Sequence, residues 1–252
     1  MLWRMSRPSI DQLPLQLVAE PPLAPAGLRP MLPRPSARLP LDGRHLLDLW
    51  WGGLRVLVHL AADGPRLIVH GRDLAASFPE LRSALEGLAS RGTVLDGEIV
   101  VPDASGGLDR AALRERLRAE NGIVGLAALV ISDLLWLDGG SLLAEPLRAR
   151  RARLTALDLD RPHLVALAPT SESGARLLDA ARERGLAAVI AKQLDSPYLP
   201  GVRSRLWRSV RADAVGGFGA DPADQDGARN AWDAPLLALM RTLPLGDNEP
   251  SG

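Results

Sequence analysis

Lys192 is the first candidate for chemistry, because it is the only lysine in a chain with 30 basic residues. It lies in AAVIAKQL, a run typical of a buried strand, which precedes a Pro/Gly loop and the arginine-rich segment RLWRSVR. A compact ammonium donates in three directions and suits a tight phosphate site, where a guanidinium does not replace it. Two interpretations remain open: position 192 requires an ammonium, or arginine codons dominate the genome and Lys192 is an ordinary strand-end residue.

Glu98 is the second candidate, in the segment LDGEIVV. Strand alternation places Glu98 and Val100 on one face and Ile99 and Val101 on the other. A carboxylate on a mostly buried strand is costly unless it is paired or bound to a cation. The alternative is a solvated glutamate on an edge strand after an Asp-Gly turn, and this segment alone favours that alternative.

Other residue types exclude several kinds of site. The absence of cysteine excludes disulfides and thiolate metal sites. The four histidines show no ligand spacing, so we predict no metal site; they are His45, His59, His70 and His163. The segments LRERLRAE and LRARRARL carry Arg/Glu stripes, which we predict to be solvated helix faces.

Composition limits the classes of partner. Thirty acidic and thirty basic residues cancel, so any surface that attracts nucleic acid must be local. The first residues lack the apolar core of a secretion signal, and no apolar run approaches the roughly 20 residues of a membrane span. We therefore expect a cytoplasmic protein without a membrane partner. Nothing in the sequence indicates an oligomeric state.

The elements that would position these residues begin near Leu46. LLDLW and LRVLVHL are predicted strands hinged at Gly52-Gly53, and an Asp63-Gly64 turn predicts a hairpin with PRLIVH. Helical and strand patterns then alternate up to residue 211, which predicts an α+β fold with largely antiparallel sheets. The predicted domains are a Pro-rich leader (1–40), which is either an extended arm or partly disordered, a folded domain (41–211) and a Gly/Ala/Asp-rich tail (212–252).

In order and spacing, these segments resemble the adenylation domain of ATP-dependent DNA ligases of the short bacterial end-joining type. The resemblance covers about Pro30 to Arg211 and rests on RPML, GRDLAASFPEL, LDGEIVV, SDLLWLDG, PLRARRARL and AKQLDSPYLPGVRS followed by Trp207. It implies a nucleotidyltransferase, ATP-grasp-like ligase adenylation fold, with antiparallel sheets flanked by helices. It also implies ATP and Mg²⁺ chemistry: a lysine attacks the α-phosphorus of ATP, and the resulting lysyl-AMP passes AMP to a DNA 5′-phosphate before sealing.

The sequence departs from the family at the nucleophile. The family motif K-x-D-G-x-R aligns with residues 50–55, so Trp50 occupies the lysine position and Gly52 the aspartate position, while Gly53 and Arg55 are kept. An indole offers an N–H donor but no basic lone pair to attack phosphorus. No catalytic residue is therefore predicted.

Further departures affect the groups that hold the nucleotide and the metal ion. Ile68-Val69 replace a serine-arginine pair, Ser132 replaces the aromatic that stacks on adenine, Ala187-Ala188 replace a Glu-Gly pair expected to help hold Mg²⁺, and Ser209 replaces a phosphate-binding lysine. The retained residues form a vestigial nucleotide-binding set: Arg55, Glu98, Lys192 and Arg211. We predict that Trp50 and Trp51 fill the vacated pocket, and we predict no cofactor.

Three functions remain as hypotheses. The first is a ligase-like protein that cannot self-adenylate and acts as a scaffold or binds DNA ends, a DNA-repair protein or, weakly, a nucleotide. The second is an active ATP-dependent DNA ligase or adenylyltransferase that uses Lys192. The third is an interaction protein without a nucleic-acid role. VGGFGAD resembles the first residues of the OB-fold that follows this domain in ligases, so we expect the tail to be its remnant and no complete OB-fold.

Overall fold

Two β-sheets and four α-helices make up the fold in the computed structural model, which describes residues 25, 27–40, 42–86, 88, 92–118, 125–157, 159, 161–167 and 173–212. The strands are β1 (Leu32–Pro35), β2 (His45–Trp50), β3 (Leu54–Ala61), β4 (Gly64–Val69), β5 (Arg72–Asp73), β6 (Thr93–Val100), β7 (Ala128–Leu137), β8 (Gly140–Ser141), β9 (Leu164–Ala166), β10 (Ala188–Gln193) and β11 (Arg203–Arg211). The helices are α1 (Pro79–Glu86), α2 (Arg110–Arg118), α3 (Leu147–Ala156) and α4 (Gly174–Glu183), and a 3-10 turn spans Ala75–Ser77.

The strands divide between two sheets. Sheet A has the order β1-β11-β10-β2, and sheet B has the order β5-β4-β3-β6-β7-β8 with β9 paired to β7. Pairing is antiparallel except between β1 and β11 and between β7 and β9. The predicted hairpin forms, since Ala61 pairs with Gly64. The α+β fold with largely antiparallel sheets is confirmed, and the chain passes from sheet A to sheet B at Gly52-Gly53.

Strand β1 lies inside the region predicted as a leader. It pairs with β11, and Met31, just before it, is fully buried. Pro33 and Pro35 have no backbone N–H to donate to a neighbouring strand. They are tolerated because β1 lies at the edge of the sheet. The folded sheet therefore includes residues on the leader side of the boundary predicted at residue 41. Most of the leader, residues 1–24, and nearly all of the tail, residues 213–252, lie outside the described residues.

Sheets A and B pack on each other through one group of buried side chains, the inter-sheet cluster. Its members are Met31, Leu57, Val94, Leu135, Trp136, Ile190, Tyr198 and Trp207. Each large apolar side chain buried in this way stabilises the fold by about 1.5–3 kcal/mol. A second cluster covers the rest of sheet B, and a third lies between sheet A and α4. The candidate site lies next to the inter-sheet cluster, against which Trp50 packs.

The prediction of solvated Arg/Glu faces is wrong for three arginines of α2 and α3. Arg116 is buried and pairs with Glu80 at 2.6 Å. Arg150 has no exposed surface and pairs with Asp133 at 2.9 Å, while its neighbour Arg151 is also buried. Because each guanidinium finds a carboxylate or carbonyl partner, burial is compensated. None of the helices in the described ranges is long and apolar enough to cross a membrane.

Candidate functional site

Trp50 and Trp51 lie at the junction of the two sheets, where β2 ends. Trp50 is half-buried and packs against the inter-sheet cluster. Trp51 instead packs against the other two clusters, and its indole N–H is buried without a hydrogen-bond partner among the described residues. The two rings therefore lie in different parts of the core, which differs from the prediction that they share one pocket. Only Trp50 lies against the cluster between the sheets.

Glu98 closes the turn that follows the two tryptophans. Its Oε2 accepts hydrogen bonds from the backbone N–H groups of Gly52 and Gly53, both at 3.0 Å. The side chain is buried on β6, which lies between β3 and β7 in the middle of sheet B. The alternative of a solvated glutamate on an edge strand is therefore wrong. Two backbone donors now compensate the buried carboxylate.

Both glycines of this turn have little room for a side chain. A Cβ at Gly53 would lie 2.3 Å from the carbonyl oxygen of Ile99. Gly52 has φ of +77°, and a Cβ there would lie 2.9 Å from Cβ of Ala187 and 3.0 Å from a guanidinium nitrogen of Arg110. An aspartate at position 52 would therefore be strained in this backbone.

Arg55 is held inside sheet B by a buried carboxylate. Its guanidinium donates to both oxygens of Asp96 at 2.6 Å, and the Tyr198 hydroxyl donates to the same carboxylate at 2.8 Å. The backbone N–H of Met31 in turn donates to the Tyr198 oxygen at 2.9 Å. Burial opposes the charge of Arg55, but Asp96 outweighs it and raises the pKa of the guanidinium above its ordinary value. Burial and then the charge of Asp96 raise the pKa of Tyr198 well above its ordinary value.

Lys192 is not an exposed strand-end residue, because its side chain is 1% exposed. Its Nζ lies 2.9 Å from Oδ2 of Asp48 and 4.5 Å from the ring centroid of Trp207. Arg151 approaches the same carboxylate oxygen at 3.5 Å. The only lysine of the chain is therefore held inside sheet A by a carboxylate, an aromatic face and the sheets around it.

The structure brings two of the four retained residues together as a direct pair and places Arg211 and Lys192 elsewhere in sheet A. Arg55 and Glu98 are direct partners on β3 and β6. Ala188 pairs with Trp50 on one side and with the exposed Arg211 on the other. Lys192 is four residues along β10 from that row, or about 13 Å at the rise of a strand.

Several side chains beside the predicted residues were not among the sequence-based candidates. They are Asp48, Asp96, Arg110, Arg151 and Tyr198. Strand alternation could have predicted two of them, because residues two apart on a strand share a face. Asp48 is two residues before Trp50, and Asp96 is two residues before Glu98. Ser132, at the position of the adenine-stacking aromatic, is buried with its Oγ 3.4 Å from the carbonyl oxygen of Asp96.

The carboxylates of the site do not fit a Mg²⁺ ion. No group of three or more His, Cys, Asp or Glu side chains that could hold a metal occurs in the part of the chain that the structure describes. Asp48 faces Lys192, Asp96 binds Arg55 and Tyr198, and Glu98 accepts two backbone N–H groups. Each carboxylate already has a donor or a cation of the protein itself as partner.

Comparison with known proteins agrees with this architecture. Residues 41–210 match the family described as ATP dependent DNA ligase domain. DNA ligase C1 of Mycolicibacterium smegmatis is 35% identical over 216 residues, which cover 79% of this chain and 60% of the relative. A DNA ligase-like protein LigB of Bacillus subtilis, derived from the SPbeta prophage, is 29% identical over 67% of this chain and 62% of its own length. This chain thus spans about three fifths of the length of these two relatives.

Solved structures give the same result. The crystal structure of the ligase domain of LigD from M. tuberculosis matches with a TM-score of 0.63 and 33% identity, over 73% of this chain and 59% of that chain. The nucleotidyltransferase fold expected from the resemblance is confirmed by this match and by the two sheets described above. On the family match, the identity to DNA ligase C1 and the shared fold, the chain belongs to the ATP-dependent DNA ligase family.

Proposed function

We propose that this protein is a non-catalytic member of the ATP-dependent DNA ligase family that cannot form lysyl-AMP. The observation that carries the proposal is the position of Trp50 where the family has its nucleophilic lysine, packed against the inter-sheet cluster. An indole cannot form a phosphoramidate, because its ring nitrogen has no basic lone pair.

The remaining candidate side chain for a nucleophile is poorly placed. Lys192 lies about 13 Å along the sheet from the Trp50 row. Its amine is ion-paired with Asp48 and covered by Trp207, so its lone pair is not available to attack phosphorus. Activation of a lysine requires a free amine aligned with the phosphate, and this arrangement supplies neither condition.

The groups that would hold ATP and Mg²⁺ support the same proposal. Arg55 is bound to Asp96, Glu98 is bound to the Gly52-Gly53 turn, and Ala187 stands where the family carries a carboxylate. These contacts within the protein replace contacts that a nucleotide would make. The fold is kept because the same side chains now stabilise it.

We propose DNA ends or a DNA-repair protein as the partner and the cytoplasm as the location. Relatives in Mycobacterium tuberculosis are named multifunctional non-homologous end joining DNA repair proteins, and one is 36% identical over 62% of this chain. This chain covers only 20% of that relative, so its other activities are not carried over. Binding without catalysis is what the kept fold and the altered site support together.

Incubation with α-labelled ATP and Mg²⁺ tests the proposal. We expect no covalent label on the purified protein, with an active ligase of the family as positive control. A labelled protein would contradict the proposal. If label were found, the Lys192→Ala variant would identify its site: loss of label would establish Lys192 as the nucleophile, and persistence would point to the amino terminus.

A further inference from the structure

The structure brings two arginine-rich, acid-free segments side by side. Residues 27–38 and 196–212 contain no aspartate or glutamate, although the whole chain is neutral. They contain seven arginines: Arg29, Arg34, Arg38, Arg203, Arg205, Arg208 and Arg211. Strands β1 and β11, one from each segment, form the parallel pair at the edge of sheet A. The neutral net charge of the chain requires any basic surface to be local, and this edge of sheet A carries such a surface.

Arg34 and Arg208 are the centre of this surface. They are direct partners on β1 and β11, and both are exposed. Neither guanidinium forms a hydrogen bond or ion pair with another residue in the described ranges. Like charges directly opposite on adjacent strands are destabilising. An external anion would offset a repulsion that the fold itself does not offset.

This surface faces away from the candidate site. Trp207 faces Lys192 and the inter-sheet cluster, so the next residue, Arg208, faces the opposite side of sheet A. Val210, two residues further, pairs with Val189 of the cluster that α4 covers. Arg208, its partner Arg34, and Arg203, which pairs with Leu32 two residues before Arg34, therefore lie on the outer face of sheet A and not in the cleft beside Trp50.

We propose that six of these arginines, the arginine strip, bind the phosphate backbone of double-stranded DNA on the outer face and edge of sheet A. The strip consists of Arg29, Arg34, Arg38, Arg203, Arg205 and Arg208. The choice of DNA rests on the proposed function, whereas the anionic character of the partner rests on the charges alone. Arg203 and Arg208 lie opposite Leu32 and Arg34 of β1, so the strip follows the sheet edge, where it can meet more than one phosphate of a duplex.

The chemistry of the strip favours phosphate over an acidic protein. Guanidinium groups match phosphate oxygens in a two-pronged geometry. Protein interfaces need an apolar centre, and Val202 is the one large apolar side chain beside the strip that is strongly exposed in the described part of the chain. A row of arginines without aromatic or aliphatic anchors is typical of backbone contacts that position DNA without reading its sequence.

The test measures affinity for a short blunt-ended duplex by fluorescence anisotropy over a series of salt concentrations. We expect affinity that falls linearly with salt on logarithmic axes, and we expect Arg34→Gln/Arg208→Gln to reduce the slope by about two. The matched control is Arg114→Gln/Arg118→Gln, which removes two exposed arginines from α2 and changes the net charge equally. Thermal unfolding verifies that both variants fold.

Three results would overturn the proposal that the arginine strip binds DNA. They are no duplex binding even at low salt, equal slope changes in both double variants, or stronger competition by poly-glutamate than by unlabelled duplex at equal concentrations of negative charge. The result is independent of the ATP assay. A protein that takes up label from ATP yet loses slope in the strip variant would refute the lack of catalysis and support the strip. Absence of label together with an unchanged slope in the strip variant would support the lack of catalysis and refute the strip.

Discussion

The ammonium of Lys192 lies 2.9 Å from the carboxylate of Asp48, and both side chains are at most 3% exposed. This pair joins β10 to β2 inside sheet A, and Arg151 adds a second cation from α3. We propose that a lysine so placed has a structural role in the sheet. Removal of one charge of such a pair leaves the other buried without compensation.

Lys192→Met should therefore lower the free energy of unfolding by about 3–5 kcal/mol, because it leaves the Asp48 carboxylate with only the longer contact to Arg151. The double variant Asp48→Asn/Lys192→Met should recover a large part of this loss, because no unpaired carboxylate remains. Urea unfolding of the two single variants and the double variant measures the coupling. Additive effects would show that the two groups do not interact.

The Glu98 carboxylate should stabilise the fold through the Gly52-Gly53 turn that it caps. Glu98→Ala removes the acceptor of two buried N–H groups, at about 1–3 kcal/mol for each. Glu98→Gln keeps an oxygen acceptor of similar shape and should cost clearly less. Chemical denaturation compares them. Equal losses in the two variants would mean that charge, and not the cap on the turn, is what the position supplies.

Tyr198 should titrate far from its ordinary range. It is the only tyrosine of the chain, so the ultraviolet absorbance of tyrosinate reports this residue alone. Burial and the neighbouring Asp96 raise the pKa of its hydroxyl well above the ordinary value of 10.0. The folded protein should show no tyrosinate at pH 10, whereas the protein in denaturant should titrate normally. A normal titration of the folded protein would contradict the buried contact with Asp96.

The same raised pKa predicts a dependence of stability on pH. Because the folded state favours the neutral hydroxyl, the contribution of Tyr198 is fully present below the pKa of the unfolded chain, about 10. It is lost as pH rises through the higher pKa of the folded state. Tyr198→Phe should therefore weaken the decline of the unfolding free energy above pH 10. Parallel declines in the variant and the wild type would assign the loss to other groups.

A lysine at position 50 should not restore activity by itself. The variant Trp50→Lys still has Ser132 in place of the stacking aromatic and Ala187 in place of the carboxylate. Adding Gly52→Asp should lower stability, because φ is +77° and the new Cβ would meet Ala187. Labelled ATP measures adduct formation in both variants, with unfolding curves as the control for folding. Label on the single variant would mean that the nucleotide pocket is still open.

Local sequence was sufficient to predict the elements that are determined by neighbouring residues. The β3–β4 hairpin follows from Asp63-Gly64 between two apolar runs, and strands β10 and β11 follow from their alternation and flanking loops. Strand β1 could not be predicted in this way. Its two prolines suggest a linker, and its pairing partner β11 lies at the other end of the domain. Only tertiary structure reveals that it occupies a sheet edge.

The candidate site shows the same limit. Motif order located Glu98 and Lys192, but their partners Gly52, Gly53 and Asp48 are far away in the chain. A helical stripe of arginine is normally solvated, so the burial of Arg150 became evident only with Asp133 opposite it on β7. Residue identity thus indicated which residues of the family motifs are replaced, whereas the structure was needed to find what the retained charges bind.

The proposed inability to self-adenylate is tested most directly by the mass of the intact protein after incubation with excess ATP and Mg²⁺, read before and after addition of nicked DNA. We predict an unmodified mass in both samples, because Trp50 cannot form the phosphoramidate and Lys192 is held by Asp48. A mass gain of one AMP that disappears on addition of nicked DNA would contradict a non-catalytic role and identify a working ligase.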